Sequence, residues 1–163
     1  MRIAQLFAIM FLLGACRPKP DTGALLTPDV THPVLNTHVT AFQETGGVFT
    51  VDARAEANNV TFANRTGKMA TFTFTATGQW SFAPTVRFLG PTGSDEPLAQ
   101  EYILPRAPRF SLILQRADGS YDYVGDHTEV VLSDGECISF LMNDIVNGAS
   151  DNRGQLQVQW ARK

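Results

Sequence analysis

The feature that most constrains the fold of this chain is an alternation of apolar and polar side chains with a period of two residues. From Met69 to Ala76, alanine and phenylalanine side chains face one way, and threonine side chains with Met69 face the other. From Gln155 to Trp160, glutamines alternate with large apolar residues in the same manner. A period of two is typical of a half-buried β-strand, and no segment has the apolar spacing of an amphipathic helix.

Other apolar runs have the length and composition of strands, and turn sequences separate them. The runs are Val48 to Asp52, Thr85 to Leu89, Phe110 to Gln115, Thr128 to Leu132 and Cys137 to Met142. The turn sequences are Gly46-Gly47, Thr66-Gly67, Asp118-Gly119 and Asp134-Gly135. Short strands with frequent turns predict an all-β single domain, an antiparallel β-sandwich or jelly roll. We expect its core to contain Phe62, Phe72, Phe74, Trp80, Phe82, Phe88, Phe110, Phe140 and Trp160.

The chain begins with a positively charged residue and an apolar run from Ile3 to Leu13, which ends in Leu13-Gly14-Ala15-Cys16. A membrane-spanning helix needs about 20 apolar residues, so this run is too short, but it has the length of a secretory signal core. Its end resembles a bacterial lipoprotein signal, in which the cysteine is lipidated and becomes the new N-terminus. The resemblance implies a signal peptide over residues 1–15 and lipidation of Cys16. The alternative is an ordinary secretory signal with a chance cysteine.

Residues 16–35 are expected to be the lipidated cysteine and a Pro-rich tether, and residues 36–163 one β-sandwich domain. Several acyl chains, palmitate among them, would anchor Cys16 stably in a membrane. Arg17, rather than aspartate, follows Cys16, which by resemblance to enterobacterial sorting favours the outer membrane of the bacterial cell envelope if the host is Gram-negative. With Cys16 lipidated, we expect Cys137 to be a lone buried thiol without an internal disulfide.

The charge of the chain excludes some classes of partner. The formal net charge is −3 and the lysines and arginines form no cluster, which argues against nucleic acid. The three histidines are scattered without a metal-binding spacing, and no Gly-x-Ser-x-Gly elbow occurs, so an enzyme is not expected. The acidic segment Asp118 to Asp126 either rims a binding site or is a solvated hairpin.

The segment from Asn143 to Gly154 is a loop between two strand-like runs that is unusually rich in oxygen ligands. It contains two carboxylates, three side-chain amides and two glycines. Calcium prefers about six to eight oxygens from carboxylates, amides and backbone carbonyls, and such a loop can supply several of them. The alternative is a polar hairpin, since Asn, Asp and Gly dominate turns in general.

Several short motifs resemble those of the galactophilic PA-I lectin family, which are calcium-dependent, sugar-binding β-sandwiches. The motifs are Trp80-Ser81-Phe82-Ala83-Pro84-Thr85, Gly90-Pro91-Thr92-Gly93, Asn143-Asp144 and Asp151-Asn152-Arg153-Gly154. They occur in the order and at the spacing of the family, over a region from about Val48 to Lys163.

The resemblance implies a calcium ion and a set of ligands for it. Phe82 and Gly148 would contribute backbone carbonyls, and Asp144, Asp151 and Asn152 would contribute side-chain oxygens. Asp151 replaces an asparagine of the family, which adds a negative charge and removes a hydrogen-bond donor. Because the cation would occupy both carboxylates, glycoside hydrolysis by Asp144 and Asp151 is not expected.

The resemblance further implies that two neighbouring sugar hydroxyls complete the calcium shell. The expected sugar-binding residues are Asp144, Asp151, Asn152, Glu96 and Gln100. Glu96-Pro97 stands where the family has His-Pro, so the ligand is expected to be galactose-like or another sugar with a vicinal diol. The alternative function is a non-lectin lipoprotein with a structural calcium and a protein or cell-envelope partner. The sequence leaves the oligomeric state open.

Overall fold

The computed structural model describes residues 36–163. The expected signal peptide, the lipidation of Cys16 and the Pro-rich tether lie outside the described residues. Within them, no helix is both long and apolar enough to cross a membrane. The strands are β1 (Thr37–Ala41), β2 (Gly46–Asp52), β3 (Val60–Asn64), β4 (Ala70–Ser81), β5 (Leu112–Arg116), β6 (Tyr121–Tyr123), β7 (His127–Leu132), β8 (Cys137–Met142) and β9 (Arg153–Arg162), and a 3-10 turn covers Ala149–Asp151.

The strands form two sheets, in the orders β1-β3-β8-β5-β6 and β2-β9-β4-β7. Every pair is antiparallel except β1 with β3. The prediction of an all-β sandwich is therefore confirmed, with one parallel pair that the sequence did not indicate. The alternating runs behave as expected, because the threonines of β4 and the glutamines of β9 lie on the outer face of the second sheet.

Aromatic side chains fill the space between the sheets. Phe62 is fully buried. Its ring contacts the rings of Phe72, Phe74 and Trp160, each at a centroid distance of 5.0 Å. Edge-to-face contacts of this kind stabilise a core beyond the area that they bury. The prediction of an aromatic core is confirmed for most of the expected residues.

Some expectations were wrong. Residues 85–89 form no strand, and only Leu89 pairs, in a single bridge to Trp80. Phe88 is 53% exposed and lies outside the core. Gly46-Gly47 opens β2 instead of forming a turn. The run 85–89 contains the charged Arg87 and lies between Pro84 and Pro91, so its apolar residues alone did not define a strand.

Strand β3 was not recognised because its residues are buried on both faces. A strand that is covered on both sides does not alternate, so the period-two signal is absent. Strand β1 enters the fold beside the start of β3. The Thr37 amide donates to the Asn59 carbonyl at 2.8 Å, and Asn59 Nδ2 donates to Asn36 Oδ1 at 2.7 Å.

Cys137 is disulfide-bonded, so the expectation of a lone thiol was wrong. It is buried, as expected, with 5% of its surface exposed. The chain has two cysteines, and the other one, Cys16, lies outside the described residues. A single sulfur atom cannot hold both a disulfide and a thioether-linked lipid. A disulfide between the two cysteines of one chain and lipidation of Cys16 therefore exclude each other.

We expect Phe62→Ala to lower the free energy of unfolding by about 3–5 kcal/mol, because it removes a fully buried ring and leaves a cavity. Phe88→Ala is the matched control, since it makes the same chemical change at an exposed position and is expected to cost about 0.5 kcal/mol or less. Urea denaturation monitored by fluorescence measures both. Equal losses for the two variants would contradict the assignment of the core.

Candidate functional site

A buried asparagine at the end of β8 holds the long connection between β4 and β5 against the sandwich. Asn143 is fully buried. Its Oδ1 accepts from the Leu104 amide at 2.8 Å, and its Nδ2 donates to the carbonyls of Leu104 at 3.1 Å and Pro108 at 3.0 Å. Its own backbone carbonyl accepts from the Phe110 amide at 2.7 Å. Because buried polar groups need partners, these bonds determine the path of residues 104–110.

The pairing of β4 with β9 leads two of the expected calcium ligands out of the same end of the second sheet. Ser81 pairs with Arg153 as the last pair of this ladder. Phe82 directly follows Ser81 and Asn152 directly precedes Arg153, so both residues lie just beyond the paired strands.

The Asp144 carboxylate is buried and is held by two hydrogen bonds. The residue is 7% exposed. Its Oδ1 accepts from the Ile145 amide at 2.7 Å, and its Oδ2 accepts from Asn152 Nδ2 at 3.0 Å. Among the described residues no lysine, arginine or histidine forms an ion pair with it. A buried carboxylate without a positive partner is costly, and a bound cation would offset that cost.

The amide of Asn152 leaves one acceptor without a partner. Its Nδ2 donates to the Ala53 carbonyl at 3.0 Å and to Asp144 Oδ2 at 3.0 Å. Both neighbours are acceptors, so the amide cannot be flipped. Asn152 Oδ1 is buried and has no hydrogen-bond partner among the described residues. An orphaned buried oxygen next to a buried carboxylate fits the donor set of a calcium site.

The two other expected ligands of the loop lie close to this pair in sequence and differ in burial. A Cβ added to Gly148 would come within 3.2 Å of Asp144 Oδ1 and within 2.6 Å of Ile145 Cγ1, so only glycine allows this approach of the backbone to the carboxylate. Asp151 ends the 3-10 turn and is exposed. Its carboxylate makes no hydrogen bond or ion pair with the described residues.

These five residues are the ones that could hold a cation. No group of three or more His, Cys, Asp or Glu side chains that could hold a metal occurs within residues 36–163. A cation at this loop would therefore depend on amide and carbonyl oxygens in addition to the carboxylates of Asp144 and Asp151. Calcium accepts such a mixed oxygen shell, whereas zinc prefers sulfur and imidazole.

An aromatic stack lies next to the loop. The rings of Phe82 and Phe110 are parallel, with centroids 3.7 Å apart, and Tyr102 meets Phe110 edge-on at 5.3 Å. Phe110 has a positive φ of 59°, which is strained for a residue with a Cβ. Its carbonyl accepts from Trp80 Nε1 at 2.8 Å, and this bond helps to hold the strained conformation.

The two remaining expected sugar-binding residues lie in different places. Glu96 forms an ion pair with Arg109, with Oε2 2.9 Å from Nη1. The Arg109 guanidinium carbon lies 5.4 Å from the centroid of the Tyr102 ring. Gln100 lines a separate groove together with Leu98, Leu104, Pro105, Arg106, Ser120 and Tyr121.

Tyr102 connects the Glu96 side of the loop to Asp144. Its backbone bridges to Ile145, and the Ile103 amide donates to the Asp144 carbonyl at 2.9 Å. Burial raises the pKa of the Tyr102 hydroxyl, and the negative charges of Asp144, Glu101 and Glu96 raise it further, against the opposing effect of Arg109. The hydroxyl of Tyr102 is therefore neutral at physiological pH, and the negative charge of Asp144 helps to keep it so.

Sequence reasoning did not identify roles for Tyr102 and Arg109, and it named Asn143 only as part of a motif and Phe110 only as a core residue. Their roles beside the loop carry no local signal, because each acts through a partner that is distant along the chain. One signal was available: residues 82–111 separate β4 from β5 with no strand of their own. Connections of that length in a compact domain are usually functional.

Among solved structures, the chain is similar to the EclA N-terminal domain, which is described as a PllA-like lectin. The TM-score is 0.50 and the identity 24%, with 74% of this chain and 97% of that chain covered. At this identity the likeness shows a common lectin-like β-sandwich fold. No protein-family model matches the sequence, and no curated protein does so either.

We expect Asn143→Ala to lower the free energy of unfolding by about 2–4 kcal/mol, because the buried Leu104 amide loses its acceptor and the carbonyls of Leu104 and Pro108 each lose one hydrogen bond. The Leu104 amide should also exchange its hydrogen much faster in hydrogen–deuterium exchange. Gln157→Ala, on the exposed face of β9, is the control and should change neither quantity. Unaltered exchange at Leu104 in Asn143→Ala would show that other contacts hold this segment.

Proposed function

We propose that this protein binds carbohydrate through a calcium ion held by Phe82, Asp144, Gly148, Asp151 and Asn152. The observation that carries the proposal is the unpartnered Oδ1 of Asn152, buried beside the unpaired carboxylate of Asp144. The pairing of Ser81 with Arg153, which brings the chain segments of Phe82 and Asn152 to the same end of the second sheet, supports it. So does the fold shared with a protein described as a lectin.

Calcium, when bound, would supply a positive centre that accepts neighbouring sugar hydroxyls as oxygen ligands. The chain itself would position the sugar. The carboxylates of Asp144 and Asp151 accept hydrogen bonds from those hydroxyls, because an ionised carboxylate can only accept. Hydrogen bonds to charged groups contribute about 1.5–3 kcal/mol each, so a single sugar binds weakly and dense display of the protein adds avidity.

We propose binding and not catalysis as the role of this site. The ligand class that fits it is a galactose-like sugar or another sugar with two adjacent hydroxyls. Glu96, which is ion-paired to Arg109, would face one side of the sugar, and Gln100 would contact a further part of a longer glycan through its own groove. In the alternative function, the same site holds a structural calcium. The protein then binds a cell-envelope or protein partner in place of a sugar.

We further propose that Cys16 is lipidated and anchors the domain in a bacterial cell envelope, in the outer membrane of a Gram-negative host. The apolar run from Ile3 to Leu13 and the Leu13-Gly14-Ala15-Cys16 sequence support this proposal. A tether of about 19 residues at 3.1 Å each would hold the domain several nanometres from the bilayer.

Calcium is expected to raise the thermal stability of the protein relative to a chelator. A ligand that binds only the folded state adds about 2.7 kcal/mol at a concentration 100 times its Kd. Asp144→Ala should lose this gain and calcium-dependent binding to a glycan array together. Asp126→Asn, which removes one carboxylate charge from an exposed turn, is the control and should keep both. Melting curves and the array, each with calcium and with chelator, measure these effects.

The same experiment separates the candidate functions. Stabilisation by calcium without any calcium-dependent glycan would favour the structural metal and sink the lectin proposal. Sugar binding that persists in Asp144→Ala or in chelator would refute a cation-mediated contact. No response of the melting temperature to calcium would remove the metal site itself.

Cys16→Ser is expected to abolish lipid modification and to move the protein from the membrane fraction to the soluble fraction. Cys137→Ser is the matched control and should remain lipidated and membrane-bound, because its sulfur lies within the folded domain. Intact-mass spectrometry of the protein from its native host, together with fractionation, measures both. An unmodified Cys16 in a disulfide with Cys137 would contradict the anchor.

A further inference from the structure

The guanidinium of Arg109 has hydrogen-bonding capacity that the protein does not use. Its Nη1 donates to Glu96 Oε2 at 2.9 Å, which is a single contact and not a two-pronged one. Its Nε is buried and has no partner among the described residues. A buried donor without an acceptor costs free energy, and such a group in a native structure calls for an explanation.

The side chain of Arg109 is held in place from several directions. Its guanidinium packs on the Tyr102 ring, and its backbone carbonyl accepts from the Ser94 amide at 2.9 Å. A Cβ added to Gly93 would come within 2.4 Å of that carbonyl, so glycine is required for this contact. Arg109 is therefore fixed before any ligand arrives, and fixed donors lose little entropy on binding.

Glu96, by contrast, is held loosely. Its side chain is 58% exposed, against 24% for Arg109. Exposed ion pairs contribute little to stability, so the carboxylate of Glu96 can leave Arg109 at small cost. When it leaves, a carboxylate from another molecule can take its place and form two parallel hydrogen bonds with the guanidinium, which is the stronger arrangement.

This position adjoins the proposed sugar site. Tyr102 carries the Arg109 guanidinium on its ring, and its backbone pairs with Ile145, the residue after Asp144. Tyr102 therefore connects the Arg109–Glu96 pair to the Asp144 loop. The ion pair with Glu96 shows that the Arg109 guanidinium binds a carboxylate at this position.

We propose that Arg109 binds the carboxylate of an acidic sugar. In the absence of that ligand, the carboxylate of Glu96 holds the same place on Arg109, and the ligand displaces it. This inference rests on the proposed carbohydrate function and names its substrate class: glycans that contain a uronic acid. With a neutral sugar Glu96 stays on Arg109 and accepts from a hydroxyl. With a uronic acid the ligand carboxylate replaces it.

The test compares two ligands that differ only at carbon 6, methyl β-galactoside and methyl β-galactosiduronate. Their affinities for the full mature chain are measured by calorimetry in saturating calcium, and the result is the ratio of uronate affinity to galactoside affinity. Relative to wild type, Glu96→Ala should raise this ratio by about tenfold, as expected for a charge-assisted hydrogen bond that no longer competes. Arg109→Lys should lower it, since lysine lacks the planar fork.

Two controls separate a contact with Arg109 from a general loss of negative charge. Asp95→Ala removes a carboxylate next to Glu96 in the sequence and should leave the ratio unchanged. The double variant Glu96→Ala/Arg109→Lys keeps a positive charge and should lose the gain of the single variant. The calcium concentration that half-saturates the melting shift should be the same in all these variants.

The outcomes distinguish this inference from the function on which it rests. An unchanged or lower ratio in Glu96→Ala, or a gain that persists in the double variant, overturns the role of Arg109 and leaves calcium-dependent galactoside binding intact. An equal gain in Asp95→Ala also overturns it. If neither sugar binds in calcium, both the inference and the carbohydrate function fall.

Discussion

The candidate site depends on the hydrogen bonds of one fully buried side chain, Asn143. It follows β8 directly, so the sandwich core fixes its position, and its amide binds the backbone of a segment with no regular structure. The Phe110 amide donates to its carbonyl, and Phe110 in turn stacks on Phe82. Asn143 thus fixes the position of the connection between β4 and β5, which contains Tyr102 and Arg109, relative to the sheets. A functional constellation is only as accurate as the residues that hold it.

The sequence predicted those strands that have one face exposed to solvent and one face in the core. The threonines of β4 and the glutamines of β9 mark such strands directly. Strand β3 is covered on both faces and has no alternation. The parallel pairing of β1 with β3 depends on contacts between distant residues. Phe88 shows the opposite limit, because an aromatic residue in an apolar run was expected in the core and is exposed.

The candidate site was predictable where its residues are close in sequence, and not elsewhere. Asp144, Gly148, Asp151 and Asn152 lie within one loop, so their composition was informative. Phe82 came from a family resemblance, and the structure shows only that its segment and that of Asn152 leave the β4–β9 ladder at the same end. Arg109 and Tyr102 were missed because their partners lie on other segments. Whether the loop holds calcium stays a prediction, and so does lipidation of Cys16.

The way in which β1 enters the sandwich brings the start of the described domain close to the Asp144 loop. Asn36 is hydrogen-bonded to Asn59, and Asn59 lines one surface groove with Asn147, Ala149 and Ser150 of the Asp144 loop. The start of the described domain and the Asp144 loop therefore lie at the same end of the molecule. If Cys16 is lipidated as proposed, that end would be the one nearest to the anchor. Glycans of the cell's own surface would then be the first that the proposed site meets.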